Sequence, residues 1–157
     1  MVYVFYLLSV TILVVLDQYV KNLVVLNIPL GKEIVLIDRF FSLTYVRNYG
    51  AGFSILQNAR LFLSLLSIIA IIALSCMLIK ARKGDTLSII SYILIISGAL
   101  GNLIDRIRLG YVVDFLDFNI FGYDYPVFNV ADCFITVGCF MLIILTILES
   151  ANAKNKA

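Results

Sequence analysis

The sequence predicts a membrane-embedded, all-α protein: four transmembrane helices and a small β-rich region outside the bilayer. Three observations predict it. Of 157 residues, 62% are hydrophobic and only 14% are charged, with a mean hydropathy of +1.05. A soluble chain of this length cannot hide so much apolar surface. Four separate stretches reach the roughly 20 apolar residues that a bilayer crossing requires. Between them lie two longer loops, at about 27–60 and 108–126, which differ from the spans in composition.

The first span covers about 2–26 and carries Asp17, Gln18, Lys21 and Asn22 in its second half. Its start lacks a basic leader and a small-residue cleavage site, so it is expected to be a retained helix and not a removable signal. In the following loop, Glu33–Ile37 and Phe41–Val46 are rich in β-branched and aromatic residues. They read as short strands of a small sheet. The second span, about 61–79, ends at Lys80-Ala81-Arg82-Lys83. The third, about 87–107, carries Asn102, Asp105 and Arg106 near its end. The loop at 108–126 holds Asp114, Asp117 and Asp124 among aromatics. Phe118, Phe121, Tyr123 and Tyr125 suit an interfacial belt, and Asp117 and Asp124 read as solvated. The fourth span, about 127–148, has Asn129 and Asp132 in its first turns. No repeat, linker or second domain interrupts the chain, so a single membrane domain is expected.

Four spans put both termini on one side. The end of span one, the start of span two, the end of span three and the start of span four then share the opposite face, where the polar span residues gather. Lys80, Arg82 and Lys83 crowd one short loop, with Lys154 and Lys156 on its side. That density places the termini in the cytoplasm. The count of basic residues points the other way, because Lys32, Arg39, Arg47, Arg60, Arg106 and Arg108 lie towards the working face. These are spread over longer loops and mixed with acids.

Composition also excludes chemistry. There is no histidine, so a Ser–His–Asp triad, a Cys–His pair and an HExxH zinc site are ruled out. The net charge of +2 and the lack of a basic stripe give no basis for nucleic-acid binding. Cys76, Cys133 and Cys139 have no metal-ligand spacing and read as small core hydrophobes. No metal or cofactor is expected.

The remaining ionisable residues carry the functional signal, because a charge at membrane depth is costly and functional by default. Asp114 lies in the apolar run Val112-Val113-Asp114-Phe115, which would bury it, and Asp132 opens the last span. Two converging carboxylates can share a proton and do acid–base work. A lone Asp132 could equally be a helix-terminus anion. Asp17 and Lys21, four apart, share a helix face and can pair, which neutralises a polar patch. A Ser–Lys hydrolase would instead make Lys21 a base, although no serine stands out as its partner. Arg47-Asn48-Tyr49-Gly50-Ala51 reads alone as a turn. Gly98-Ala99-Leu100-Gly101 permits close helix packing, and Asn102 and Arg106 share a face from which they could hold carboxylates or a substrate carbonyl.

Five segments in order resemble the lipoprotein signal peptidase family, the type II signal peptidases of bacteria. They are Asp17-Gln18-x-x-Lys21, Arg47-Asn48-x-Gly50-Ala51, Gly98-Ala99-x-Gly101-Asn102-x-x-Asp105-Arg106, Val112-Val113-Asp114-Phe115 and Phe128-Asn129-x-Ala131-Asp132. The resemblance spans nearly the whole chain. It implies an intramembrane aspartyl endopeptidase that cleaves diacylglyceryl-modified prolipoproteins before the lipidated cysteine. Asp114 and Asp132 are its implied catalytic pair, with Asn48, Gly50, Asn102, Arg106 and Asn129 lining the site and Asp17, Lys21 and Asp105 supporting it. Gly52 and Cys133 replace the family's usual alanine and serine, both small changes. Lipid-modified prolipoproteins and membrane lipids are the implied partners, and a monomer is expected. The working face would lie near the outer leaflet, with aromatics such as Phe53 and Phe121 as cradle and lid. A small ion- or proton-coupled transporter is the main alternative and a non-enzymatic scaffold a second, since charged groups within spans also mark ion pathways.

Overall fold

The computed structural model describes residues 2–51, 55–81 and 84–154. In order, it contains α1 (Val2–Asn27), β1 (Glu33–Ile37), β2 (Phe41–Asn48), α2 (Arg60–Lys80), α3 (Thr86–Arg108), β3 (Val112–Ile120), β4 (Tyr123–Asp124) and α4 (Val130–Lys154). All four helices are long and apolar enough to cross a membrane. Phe53, Gly52, Arg82, Lys83 and Lys156, singled out from the sequence, lie outside the described residues.

α3 is the centre of the bundle. In its most apolar window 61% of residues are buried, against 11% in each of the other three helices. The remainder of α1, α2 and α4 faces outward with bare Leu, Ile, Val and Phe side chains, as lipid contact requires. Lipid gives helices no hydrophobic reason to associate, so close packing through small residues must hold them. Gly98 and Gly101 on α3 and Gly138 on α4 provide it. A methyl group at Gly98 would run into the backbone carbonyl of Ala131, and one at Gly138 would lie 2.8 Å from the carbonyl oxygen of Ser91. The serine hydroxyls inside this seam stay satisfied within their own helix, with Ser97 Oγ donating to Ile93 O at 2.6 Å and Ser91 Oγ to Leu87 O at 2.8 Å.

The strands form one antiparallel sheet in the order β1-β2-β3-β4. β2 and β3 pair with Val46 opposite Asp114 and Asn48 opposite Val112, after a register shift between Leu43 and Val46. Val24 and Ile28 at the end of α1 pack with Tyr45, Val113 and Phe115, which seats the sheet on one end of the bundle. The first two strands are where the sequence places them. β3 is not: its segment reads as an aromatic loop. The reason is physical. Val112, Val113, Asp114 and Phe115 are all buried, so the strand lacks the apolar–polar alternation that marks a half-exposed one.

Phe118 stacks on Phe41 at 4.4 Å and on Phe128 at 5.7 Å between ring centres. Two side-chain expectations need correction. Asp117 is half-buried and accepts a hydrogen bond from Thr44 at 2.8 Å. Cys76 and Cys139 face outward on their helices and are not core residues.

The seam makes a direct prediction. Gly98→Ala forces α3 and α4 apart and should cost about 1–3 kcal/mol, the range of overpacked interiors. Thermal unfolding of purified protein in detergent measures it. An unchanged midpoint would mean that the helices do not depend on this contact.

Candidate active site

The site is built at the sheet-bearing end, where α1, α3, β2, β3 and the start of α4 meet. Its base is an ion cluster. Lys21 Nζ lies 3.0 Å from Asp17 Oδ2, 3.0 Å from Asp105 Oδ2 and 2.9 Å from Asn102 Oδ1. An ammonium has three protons and no lone pair, and here three oxygens accept them. Lys21 is therefore a fixed cation, which leaves nothing of the Ser–Lys reading. Asp17, Lys21 and Asp105 are each buried, and a buried charge is tolerated only when paired and hydrogen-bonded. Gln18 completes the pairing, since its Nε2 reaches Asp105 Oδ1 at 2.9 Å and Gly101 O at 3.2 Å.

Each carboxylate of this cluster also ties down another element. Asp17 Oδ1 accepts from the backbone N–H of Ala131 at 3.0 Å, in the first turn of α4, where N–H groups lack helical partners. Gly101 makes that approach possible: a Cβ there would lie 2.5 Å from the Asp17 carboxylate. Asp105 Oδ2 accepts from Val113 N at 3.2 Å, one residue before Asp114.

The N-terminus of α4 is closed by a reciprocal pair. Asp132 N donates to Asn129 Oδ1 at 3.0 Å, and Asn129 N donates to Asp132 Oδ2 at 3.1 Å, which is the geometry of a capping box. Asp132 is thus a helix-terminus anion, as the plain reading of the sequence allows. Its other oxygen is occupied differently, accepting from Asn102 Nδ2 at 2.7 Å.

Asp114 projects from β3 towards the same place and is only 2% exposed. Asn48 Nδ2 donates to its Oδ2 at 2.9 Å and Asn129 Nδ2 to its Oδ1 at 2.6 Å. Burial, reinforced by the neighbouring Asp132, pushes the Asp114 carboxyl up to about 7, against the pull of the two amide donors. Asn129 also donates to Asn102 Oδ1 at 3.2 Å, so an unbroken chain of hydrogen bonds runs from Asp114 through Asn129 and Asn102 to Asp132 and Lys21.

Both carboxylates line a cavity of about 450 Å³, with Asn48, Asn102 and Arg106 beside them. Most of the remaining wall is apolar, formed by residues such as Val112, Phe128, Ile135 and Val137. A mostly apolar pocket with a few convergent polar groups is the usual form of a binding site. Arg106 Nη2 donates to Gly50 O at 3.0 Å, and Gly50 N donates to Asn48 Oδ1 at 2.8 Å. Gly50 is needed because a Cβ there would sit 2.5 Å from the carbonyl oxygen of Ile55.

All ten side chains and glycines that the sequence singles out for the site therefore converge. Arg47, from the same motif as Asn48, does not. It is exposed, and its guanidinium lies over the Tyr111 ring at 4.7 Å. The backbone N–H of Val113 and the amide of Gln18 belong to the network without being foreseen. Gln18 was visible as a polar residue within a span, whereas a main-chain donor leaves no trace in a sequence.

The sequence profile of the family described as Signal peptidase (SPase) II matches residues 9–148. The chain belongs to that family. A lipoprotein signal peptidase of Streptococcus thermophilus is 45% identical over 137 residues, covering 87% of this chain and 88% of that one. One of Staphylococcus aureus is 38% identical over 150 residues, covering 96% and 92%. A solved structure described as a bacterial membrane enzyme, obtained by the in meso method at 2.3 Å resolution, superposes with a TM-score of 0.88 at 37% identity. It covers 94% of this chain and 90% of its own. A second, obtained in the same way at 1.9 Å, gives 0.81 at 38% identity over 90% and 91%. This peptidase is accordingly a multi-pass membrane protease, not a transporter or a scaffold.

The ion cluster yields a stability test. Lys21→Met leaves Asp17 and Asp105 buried without their cation and should cost about 3–5 kcal/mol, the typical loss on breaking a buried pair. Thermal unfolding in detergent reads the loss. Wild-type stability in that variant would show that the two acids do not need Lys21.

Proposed function

We propose that this peptidase removes the signal peptide from diacylglyceryl-modified prolipoproteins, cleaving before the lipidated cysteine, with Asp114 and Asp132 as its catalytic pair. The observation that carries the proposal is the convergence of these two carboxylates on one cavity wall, joined through Asn102 and Asn129. The lipoprotein signal peptidases to which the chain is similar support the substrate class.

Two close carboxylates do not both ionise readily, so the pair holds one proton near neutral pH. The charge sits best on Asp132, which accepts from a backbone N–H and an amide at the positive end of α4. The proton sits best on Asp114. Asp132 then takes a proton from the attacking water while Asp114 donates to the scissile carbonyl oxygen. The new tetrahedral carbon collapses as the pair returns a proton to the leaving amine. Arg106 and Asn48 border the space where that carbonyl would lie and can orient it. Lys21 does no proton transfer; it holds Asn102 and so positions Asp132.

In this reading the chain acts as one membrane domain and as a monomer. Its termini are cytoplasmic and its site lies near the outer leaflet, where the substrate's acyl chains and water are both within reach. The basic Lys80 end of α2 supports that orientation.

Asp114→Asn and Asp132→Asn should each lower cleavage of a lipid-modified prolipoprotein at least about 100-fold, the low end of what acid–base groups supply. Substrate binding should survive. Normal cleavage by either variant, at equal folded amounts, would rule out the pair. The pH profile gives a second reading. Asp114 is protonated below about 7, so kcat/KM should fall as pH rises through that value. A flat profile from pH 6 to 9 would remove Asp114 as the acid. Phe121, fully exposed at the β3–β4 turn, serves capture in this scheme. Phe121→Glu should raise KM with kcat and thermal stability unchanged; equal KM values would end its role as a lid.

A further inference from the structure

The cavity that holds Asp114 and Asp132 extends beyond the groups that the catalytic scheme uses. Past Asp132, α4 continues its wall with Ile135, Thr136 and Val137, and the segment before α4 contributes Val127 and Phe128. Nearer the carboxylates, Asn48, Asn102 and Arg106 each hold a partner within the protein. Thr136 does not. It is exposed, and among the described residues its hydroxyl makes no hydrogen bond. Thr11 and Thr146, within α1 and α4, show the ordinary alternative. Their hydroxyls donate to the carbonyl four residues back, at 2.8 and 2.9 Å. At Thr136 that carbonyl belongs to Asp132, and the bond is not made.

Val127 adds a second uncommitted pair. Its neighbour Phe128 exchanges both main-chain hydrogen bonds with Leu116. The N–H and C=O of Val127 bond to nothing among the described residues. Extended chain with a free donor and acceptor is what an incoming extended peptide pairs with. The two free sites therefore share one chemistry, that of a peptide main chain, in a stretch of wall that is otherwise apolar.

Depth decides which part of the substrate meets them. Thr136 follows Asp132 by four positions on α4, so the two share a face and lie about 6 Å apart along the axis. An extended peptide advances about 3.3 Å per residue. With the scissile bond at the carboxylates, the Thr136 hydroxyl is level with a peptide group one or two residues away. That group lies on the signal-peptide side, because α4 and the signal peptide both run from the site into the membrane. A helical signal peptide keeps its carbonyls in helix hydrogen bonds, so the stretch presented for cleavage must unwind. Its freed peptide groups are costly in an apolar surrounding unless the enzyme matches them. We propose that Thr136 and the main chain of Val127 bind the substrate backbone just before the cleaved bond and hold it extended. The inference rests on the peptidase reading above and adds a binding site for the substrate's main chain, indifferent to its side chains.

The test uses the full chain in detergent and synthetic diacylglyceryl lipopeptides. Thr136→Val should raise KM about fivefold, the ratio that one neutral hydrogen bond supplies, with kcat little changed. Thr136→Ser should stay close to wild type. The unfolding midpoint of Thr136→Val should not move, since the hydroxyl has no partner in the protein to lose; if it falls, Thr136→Ala repeats the measurement without the added methyl. A second set of substrates replaces the amide one or two residues before the scissile bond by an ester. At one of those positions the ester should cost wild type about as much as the lost hydroxyl does, and should cost Thr136→Val nothing further. Equal KM values for wild type and Thr136→Val would overturn the proposal, as would two losses that simply multiply. A loss shared instead with an ether-linked glyceryl substrate would assign the hydroxyl to the lipid and overturn the main-chain site. If Asp114→Asn is silent while Thr136→Val matches wild type, this inference alone fails; if wild type cleaves no lipopeptide, the peptidase reading fails with it.

Discussion

The structure depends on one cation. Lys21 sits among two carboxylates and an amide with no proton to spare, and each of those acceptors belongs to a different task. Asp17 holds the first turn of α4, Asp105 holds the start of β3, and Asn102 holds Asp132. One ammonium thus sets the mutual positions of three helices, a strand and a cavity wall. In a low-dielectric interior such an arrangement is stable only when every member is satisfied, and no buried side-chain polar atom among the described residues is left unpaired.

The consequence for chemistry is rigidity where the carboxylates meet. Asp114 and Asp132 come from a strand and a helix whose relative placement could vary. Asn129 and Asn102 bridge them, and both amides are themselves fixed, one by the capping pair and one by Lys21. An enzyme gains most from groups already aimed before the substrate arrives. The apolar remainder of the wall keeps the local dielectric low, which is also why the Asp114 carboxyl is held near 7.

Much of this was legible in the chain. The four spans follow from composition, and the polar residues at one end of the first, third and fourth mark the working face because membrane-depth charges have few other reasons to exist. Asp17 with Lys21, and Asn102 with Arg106, follow from helical spacing. What the chain hides is whatever tertiary pairing decides. β3 is a strand because β2 is there to receive it, and its burial on both faces erases the period-2 signal. The partners of Phe118 were hidden too, because only the fold brings Phe41 and Phe128 to it. Asp132 admitted two readings from the sequence and holds both contacts in the structure, one oxygen on its own helix and one on Asn102.

The placement of Asp17 and Lys21 on the same helix bears on how the chain enters the membrane. α1 precedes α3 and α4 in the chain, so when insertion accompanies synthesis its charged residues meet the membrane before Asp105 and the start of α4 have been made. Four residues apart, the two can neutralise each other from the outset, and α1 can insert as an electrically neutral helix. The late arrival of Asp105 then converts a self-contained pair into a link between the first half of the protein and the second. Each half thus retains an unmatched polar surface until the other is present, which makes completion of the bundle and completion of the site a single event.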